Sequence, residues 1–148
     1  MMDRPAAHIP VMRDRIVELL APALSAPRSI YVDCTLGLGG HARAMLEACP
    51  NAHLIGIDRD DDALAIARER LAEFSGRVRF FKAVYDELPE VLAEAGEPHV
   101  AAILADLGLS SLQIDRTDRG FAYSVDAPLD MRMTQSDGPT AADVLNTY

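Results

Sequence analysis

The segment Ile30-Tyr31-Val32-Asp33-Cys34-Thr35-Leu36-Gly37-Leu38-Gly39-Gly40-His41 carries a short β-type run into a glycine-rich turn, and Asp58 closes a second apolar run, Leu54-Ile55-Gly56-Ile57. Glycines let backbone N–H groups at a helix N-terminus come close to a ligand, and a carboxylate at the next strand end can accept from ribose hydroxyls. The pair points to a nucleoside cofactor. The spacing is not the complete G-x-G-x-x-G, and a tight strand-to-helix turn needs such glycines as well. Asp58, Asp60, Asp61 and Asp62 also precede an apolar-periodic run, where carboxylates cap a helix and meet its dipole. Both roles are compatible.

Alternating helices and strands must position these residues. Ile16, Val17, Leu19, Leu20 and Leu24 predict a helix from about Arg13 to Leu24, followed by a strand at Ile30–Asp33. A helix from His41 to Cys49 stops at Pro50, and Leu54–Asp58 reads as a buried strand. In Asp61–Phe74, Ala63, Leu64, Ile66, Ala67 and Leu71 form an apolar stripe opposite Arg68, Glu69, Arg70 and Glu73. Val78–Ala83, a short helix at Glu87–Ala95 and a strand at Val100–Leu104 complete the alternation. This is the pattern of a parallel sheet flanked by helices, in which ligands collect at the carboxyl ends of the strands. The glycine turn, Asp58, Tyr85 and Asp106 all fall there. From Leu107 to Asp126 the chain is rich in turn formers and charges, a candidate substrate loop, and Ala141–Leu145 opens a further helix.

The 148 residues, 49% hydrophobic and 25% charged, suit one domain with a core and argue against disorder. No apolar run approaches the roughly 20 residues of a membrane span, and the first residues carry no signal-peptide pattern, so a cytoplasmic protein is expected. Cys34 and Cys49 form neither a metal spacing nor a disulfide framework. The net charge of −9 opposes non-specific attraction to nucleic acid.

Several separated motifs, taken together, are more specific. They are His8-Ile9-Pro10-Val11-Met12, Tyr31-Val32-Asp33, Thr35-Leu36-Gly37, Gly39-Gly40-His41 and Gly56-Ile57-Asp58-Arg59-Asp60. Further on come Asp106-Leu107-Gly108, Ser110-Ser111, Gln113, Asp115, Arg119-Gly120-Phe121 and Pro128-Leu129-Asp130-Met131-Arg132-Met133. In order and spacing, from His8 to Asn146, they resemble the S-adenosylmethionine-dependent small-subunit ribosomal RNA cytosine-N4 methyltransferases, the H-type or MraW family.

The resemblance implies a Rossmann-like class I methyltransferase fold, its four strands in spatial order 3-2-1-4. It implies that Gly39, Gly40 and His41 contact the methionine part of S-adenosylmethionine, that Asp58 holds the ribose and that Tyr85, where the family usually has Phe, lies beside the adenine. Asp106 and Gln113 are carried over as further cofactor-site residues, Asp106 also as the catalytic group orienting the attacking amine of a cytidine in the decoding region of 16S rRNA. No metal is implied. Arg116, Arg119 and Arg132 are candidates for RNA contacts, with solvated ion pairing as the alternative. Members of the family are about twice this length. Residues 1–127 are therefore expected to form the cofactor-binding part, and 128–148 to begin an inserted helical substrate domain. The fourth strand would lack a neighbour, which predicts a homodimer or aggregation through that edge, or else a covering role for residues after Ser110. A nicotinamide-dependent oxidoreductase and a non-catalytic binding fragment are the competing readings.

Overall fold

The computed structural model describes residues 9–147, so His8 lies outside the described residues. Four strands, β1 (Ser29–Asp33), β2 (Ala52–Asp58), β3 (Val78–Lys82) and β4 (Ala102–Leu104), pair in parallel in the order β3-β2-β1-β4. The register sets Asp33 opposite Gly56 and Leu104, and Asp58 opposite Lys82. Because β2 and β3 lie on one side of β1 and β4 on the other, the strand order reverses at β1, where such sheets bind ligands.

Both faces of the sheet are covered, which explains why its strands read as apolar runs rather than as strict alternation. Tyr31 and Leu54 point to one side, where they meet Ala42, Met45 and Leu46 of α2 (Gly40–Ala48) and Leu64 and Ala67 of α3 (Asp61–Arg70). Ile16, Val17 and Leu20 of α1 (Arg13–Leu20) pack on the same cluster. Ile30, Val32, Ile55 and Ile57 point to the other side, against Val91, Leu88 and Leu92 of α4 (Leu88–Ala95). Gly96 ends α4 with φ 68°, a left-handed conformation that glycine adopts without strain.

Two helices are shorter than their periodicity suggests. The first gives way to a 3-10 turn at Ala21–Leu24, where Pro22 supplies no N–H for an α-helical bond. α3 gives way to a 3-10 segment at Ala72–Arg77. Ser75-Gly76 has little helical preference. Arg77 then donates to the carbonyls of Leu46, Cys49, Pro50 and Ala52, fastening the end of α2 to the start of β3. No helix among the described residues is long and apolar enough to cross a membrane.

The polar stretch after Asp106 is more ordered than turn chemistry indicates. It contains α5 (Ser111–Asp115) and a 3-10 turn at Thr117–Arg119, and α6 (Ala141–Thr147) follows. A capping box starts α5: Gln113 N–H donates to Ser110 Oγ at 3.3 Å, and Ser110 N–H donates to Gln113 Oε1 at 3.0 Å. Arg119, only 2% exposed, donates two hydrogen bonds to Asp60 and one, at 2.9 Å, to Asp62. Arg119 is thus a structural pin and not an RNA contact. Arg132 likewise chelates Asp130, with Nε and Nη2 at 3.0 and 2.8 Å from its two oxygens. Arg116 approaches Asp62 only at 3.4 Å and keeps an exposed guanidinium. Met131 N–H donates to Arg119 O at 2.9 Å, and Ala141 and Ala142 donate to Asp130 O and Leu129 O. Residues 128–142 are thereby tied to the pinned loop. Gly120, at φ +76°, lies so close to Pro128 O that no side chain fits between them.

Removing one partner of a buried, hydrogen-bonded ion pair leaves the other charge uncompensated. Arg119→Met is expected to lower unfolding free energy by about 3 kcal/mol or more in urea titration. An equivalent change at exposed Arg15 is expected to cost less than about 1 kcal/mol.

Candidate functional site

Asp58 begins the site. Its Oδ2 accepts from Gly37 N–H at 2.7 Å, and its Oδ1 accepts from Asp60 N–H at 2.9 Å. One carboxylate therefore holds the glycine turn after β1 and the entry to α3 together. Each oxygen retains lone-pair capacity for a further donor. Burial raises its pKa above the usual carboxylate range, while the amides of Asp60 and Gly37 oppose that rise. Asp60 caps α3 by accepting from Asp62 N–H at 3.0 Å, so the capping and ligand-facing roles fall to different acids of the run.

The glycine turn is fixed from other sides too. Leu36 N–H donates to Ile57 O at 3.0 Å, and Cys34 N–H donates to Leu104 O at 2.8 Å. Thr35 Oγ1 accepts from Asp106 N–H at 2.7 Å, linking the loops after β1 and β4. Gly37 and Gly39 have φ of 51° and 74°, and a side chain at Gly40 would run into the Pro10 ring. The glycines here serve both turn geometry and close packing.

A cavity of about 640 Å³ opens at the carboxyl ends of the strands. Gly40, His41, Asp58, Tyr85, Asp106 and Gln113 all line it. Gly39 does not line it and instead supplies the left-handed residue before α2. Tyr85 opens a 3-10 turn just after β3 and is 55% exposed, with its ring at the cavity wall. Gln113 is buried, its side-chain oxygen already committed to the Ser110 amide. His41 is 9% exposed, and neither ring nitrogen finds a hydrogen-bond partner among the described residues. Its Nε2 stands 3.5 Å from Asp106 Oδ2, too long for a firm hydrogen bond. Burial lowers the His41 pKa and so favours the neutral ring, an effect partly offset by Asp106. The Asp106 carboxylate accepts no loop amide among the described residues, leaving its oxygens available to a ligand.

Three contributors carry no site role in the sequence reading. Arg70, assigned there to the outer face of α3, reaches the cavity wall, as does Met133. A signal existed for Arg70, since Ala63, Ala67 and Arg70 recur at helical spacing and Ala63 lines the cavity too. Asp33 lies beneath the site, fully buried, accepting from Thr35 N–H at 3.1 Å and from Tyr31 OH at 3.3 Å. Asp58 ends β2 and Asp106 follows β4, so two carboxylates line the cavity at the strand ends, with Asp33, the last residue of β1, beneath them.

A family model described as the MraW methylase family matches residues 5–148. The chain is 60% identical over 146 residues to ribosomal RNA small subunit methyltransferase H of Pseudarthrobacter chlorophenolicus, covering 95% of this chain and 44% of that protein. It is 62% identical over 143 residues to the protein of the same name from Salinispora arenicola, covering 96% of this chain and 38% of that one. The chain thus spans less than half the length of these relatives. A Streptococcus mutans protein described as a methyltransferase, solved in complex with SAH, superposes with a TM-score of 0.53 at 20% identity, over 76% of this chain and 58% of that one. At that identity the likeness is one of fold, the Rossmann-like fold of class I methyltransferases.

Burial raises the Asp33 carboxyl from 3.8 to about 7. The folded chain therefore keeps a proton that the unfolded chain releases, so this group's contribution to stability falls as pH rises from about 4 to about 7. Asp33→Asn, which retains an acceptor for Thr35 N–H, is expected to remove that slope. Relative to the parent it should gain on the order of 4 kcal/mol between pH 4 and pH 8 in denaturation series.

Proposed function

The chain belongs to the MraW methylase family, and from that premise we propose that it forms the S-adenosylmethionine-binding part of a cytoplasmic ribosomal RNA (cytosine-N4)-methyltransferase. Its substrate in this reading is a cytidine in the decoding region of 16S rRNA in the small ribosomal subunit. The observation that carries the proposal is the convergence of Gly40, His41, Asp58, Tyr85, Asp106 and Gln113 on one cavity at the strand ends.

The residues present fit the cofactor. Asp58 has lone pairs left for ribose hydroxyls, and Tyr85 offers an aromatic face to a purine. His41 brings two unpartnered ring nitrogens, which a polar ligand can satisfy. The carboxylates of Asp58 and Asp106 on the cavity wall favour a cationic sulfonium and disfavour the pyrophosphate of a nicotinamide dinucleotide. When bound, S-adenosylmethionine supplies a methyl group activated by that sulfonium.

Asp106 acts on the other reactant. The lone pair of the cytosine amine is conjugated into the ring, so the useful work is to accept an N–H hydrogen bond and hold the nitrogen in line with the methyl group. Its free carboxylate, beside neutral His41 and anchored through its own amide to Thr35, suits that role. Residues 128–148 begin a substrate-binding unit over the cavity, with Met133 on the wall and Arg116 the arginine of this loop best placed for phosphate. β4 presents an edge to which no described strand pairs, with Ile103 48% exposed. We assign that edge to a second copy of the chain. A monomer by light scattering at high concentration refutes this assignment.

Calorimetric titration tests the cofactor reading. Saturable S-adenosylmethionine binding, weakened about tenfold or more by Asp58→Ala and retained by Asp106→Asn, is the expected result. NADH binding in its place would favour an oxidoreductase. In the protein carrying the full family length, Asp106→Asn is expected to slow single-turnover methylation of small subunits by about a hundredfold. An undiminished rate would remove Asp106 from the chemistry.

A further inference from the structure

We infer that Arg70 is a specificity-determining residue of the cofactor cavity, its guanidinium binding the α-carboxylate at the amino-acid end of S-adenosylmethionine. The inference rests on the cofactor reading above. Arg70 is the last residue of α3, half-buried, and lines the cavity. Its carbonyl is engaged by Arg43 Nη1 at 3.0 Å, but among the described residues its guanidinium has no carboxylate partner.

The position of that guanidinium gives it a function. A side chain begun at Gly40 would lie 3.8 Å from Arg70 Nη1, which sets the charge against the first turn of α2. The first intrahelical bond there runs from Arg43 N–H to Gly39 O, so the amides of Gly40, His41 and Ala42 have no acceptor within the helix. Gly39 contributes no side-chain cap. The same turn carries His41, nine-tenths buried at the cavity wall, neither ring nitrogen in a hydrogen bond among the described residues and Nε2 3.5 Å from Asp106 Oδ2. A cation, a positive helix end and free backbone donors on one wall suit an anionic group.

Charge elsewhere in the cavity points the same way. Asp58 and Asp106 repel a carboxylate from the strand ends. Nearby Arg43 is already paired with Glu47 and Glu73, at 2.8 and 2.6 Å, and Arg119 with Asp60 and Asp62. Arg59, the other arginine of the wall, follows β2 and faces Thr134, its Nε 3.5 Å from Thr134 Oγ1 and its carbonyl accepting from that hydroxyl. Of the two arginines on the wall, Arg70 is the one set against the first turn of α2, at the amino-acid end of the ligand in this reading.

The test uses two ligands that differ by the carboxylate alone, S-adenosylmethionine and decarboxylated S-adenosylmethionine, titrated calorimetrically into the parent chain, Arg70→Met and Arg70→Lys. The expected result is that Arg70→Met weakens S-adenosylmethionine by about 10- to 100-fold and leaves the decarboxylated ligand within about 3-fold of the parent, with Arg70→Lys in between. Equal weakening of both ligands, or no change in either, overturns the assignment. If Arg70→Met fails to fold, as read by its thermal transition, the ratio measured with Arg70→Lys decides alone. A parent chain that binds neither ligand overturns the cofactor reading and this inference with it. A parent chain that binds both, with a ratio indifferent to residue 70, overturns only the role of Arg70.

Discussion

The Asp58 carboxylate is the constraint on which the cavity depends. Its two oxygens take the Gly37 amide and the Asp60 amide, so the turn after β1 and the start of α3 cannot move independently. No other side chain ties the Gly37 amide to the start of α3 among the described residues; Cys34, Thr35 and Leu36 fasten the turn to β4 and β2 alone. The cost is a carboxylate kept largely from water beside other acids, visible as an upward shift of its pKa. A cationic ligand relieves that crowding, so the same group that builds the cavity also biases what enters it.

A second acid pair extends this logic outward. Asp60 caps α3 and at the same time receives the fork of Arg119, with Asp62 taking a further guanidinium hydrogen. Through Arg119 the segment after β4 is fastened to the helix that starts at the cofactor acid. Gly120 then lets residue 128 pass close by, and the backbone bonds at Met131, Ala141 and Ala142 carry the connection on. The run Asp58 to Asp62 is therefore a hub with divided duties: one acid faces the cavity, one caps, and two hold an arginine sixty residues away.

Burying charge in this way is a poor source of stability, since desolvation offsets most of the attraction. Its value is positional. The hub fixes where Ser110, Gln113 and Met133 stand relative to the glycine turn, and the cavity exists only if those distances are kept. The large apolar clusters on either side of the sheet supply the folding free energy that permits such polar wiring.

The order of strands and helices was legible in the chain because period and punctuation are local properties: apolar runs of strand length, Pro50, Gly96 and the glycine turn suffice. The glycine turn, Asp58, Tyr85 and Asp106 were legible as cavity residues for a related reason, since strand ends are where a parallel sheet gathers its ligand groups, whereas Gln113 came only with the family resemblance. Helix ends at Leu20 and Arg70 were less so, because a continuing apolar stripe conceals a switch to 3-10 geometry set by Pro22 and by the docking of Arg77. Arg119 and Arg132 read as surface cations, and Arg70 as an outer-face residue, since charge and spacing say nothing about what lies across a loop. Only the tertiary structure decided that Asp60 and Asp62 consume Arg119, that Asp130 consumes Arg132, and that Arg70 turns into the cavity. Sequence determined which elements form, by interactions between residues a turn or two apart. Folding decided which charges are spent on holding the fold and which are left for a ligand, because pairing depends on distances that exist only once distant segments meet.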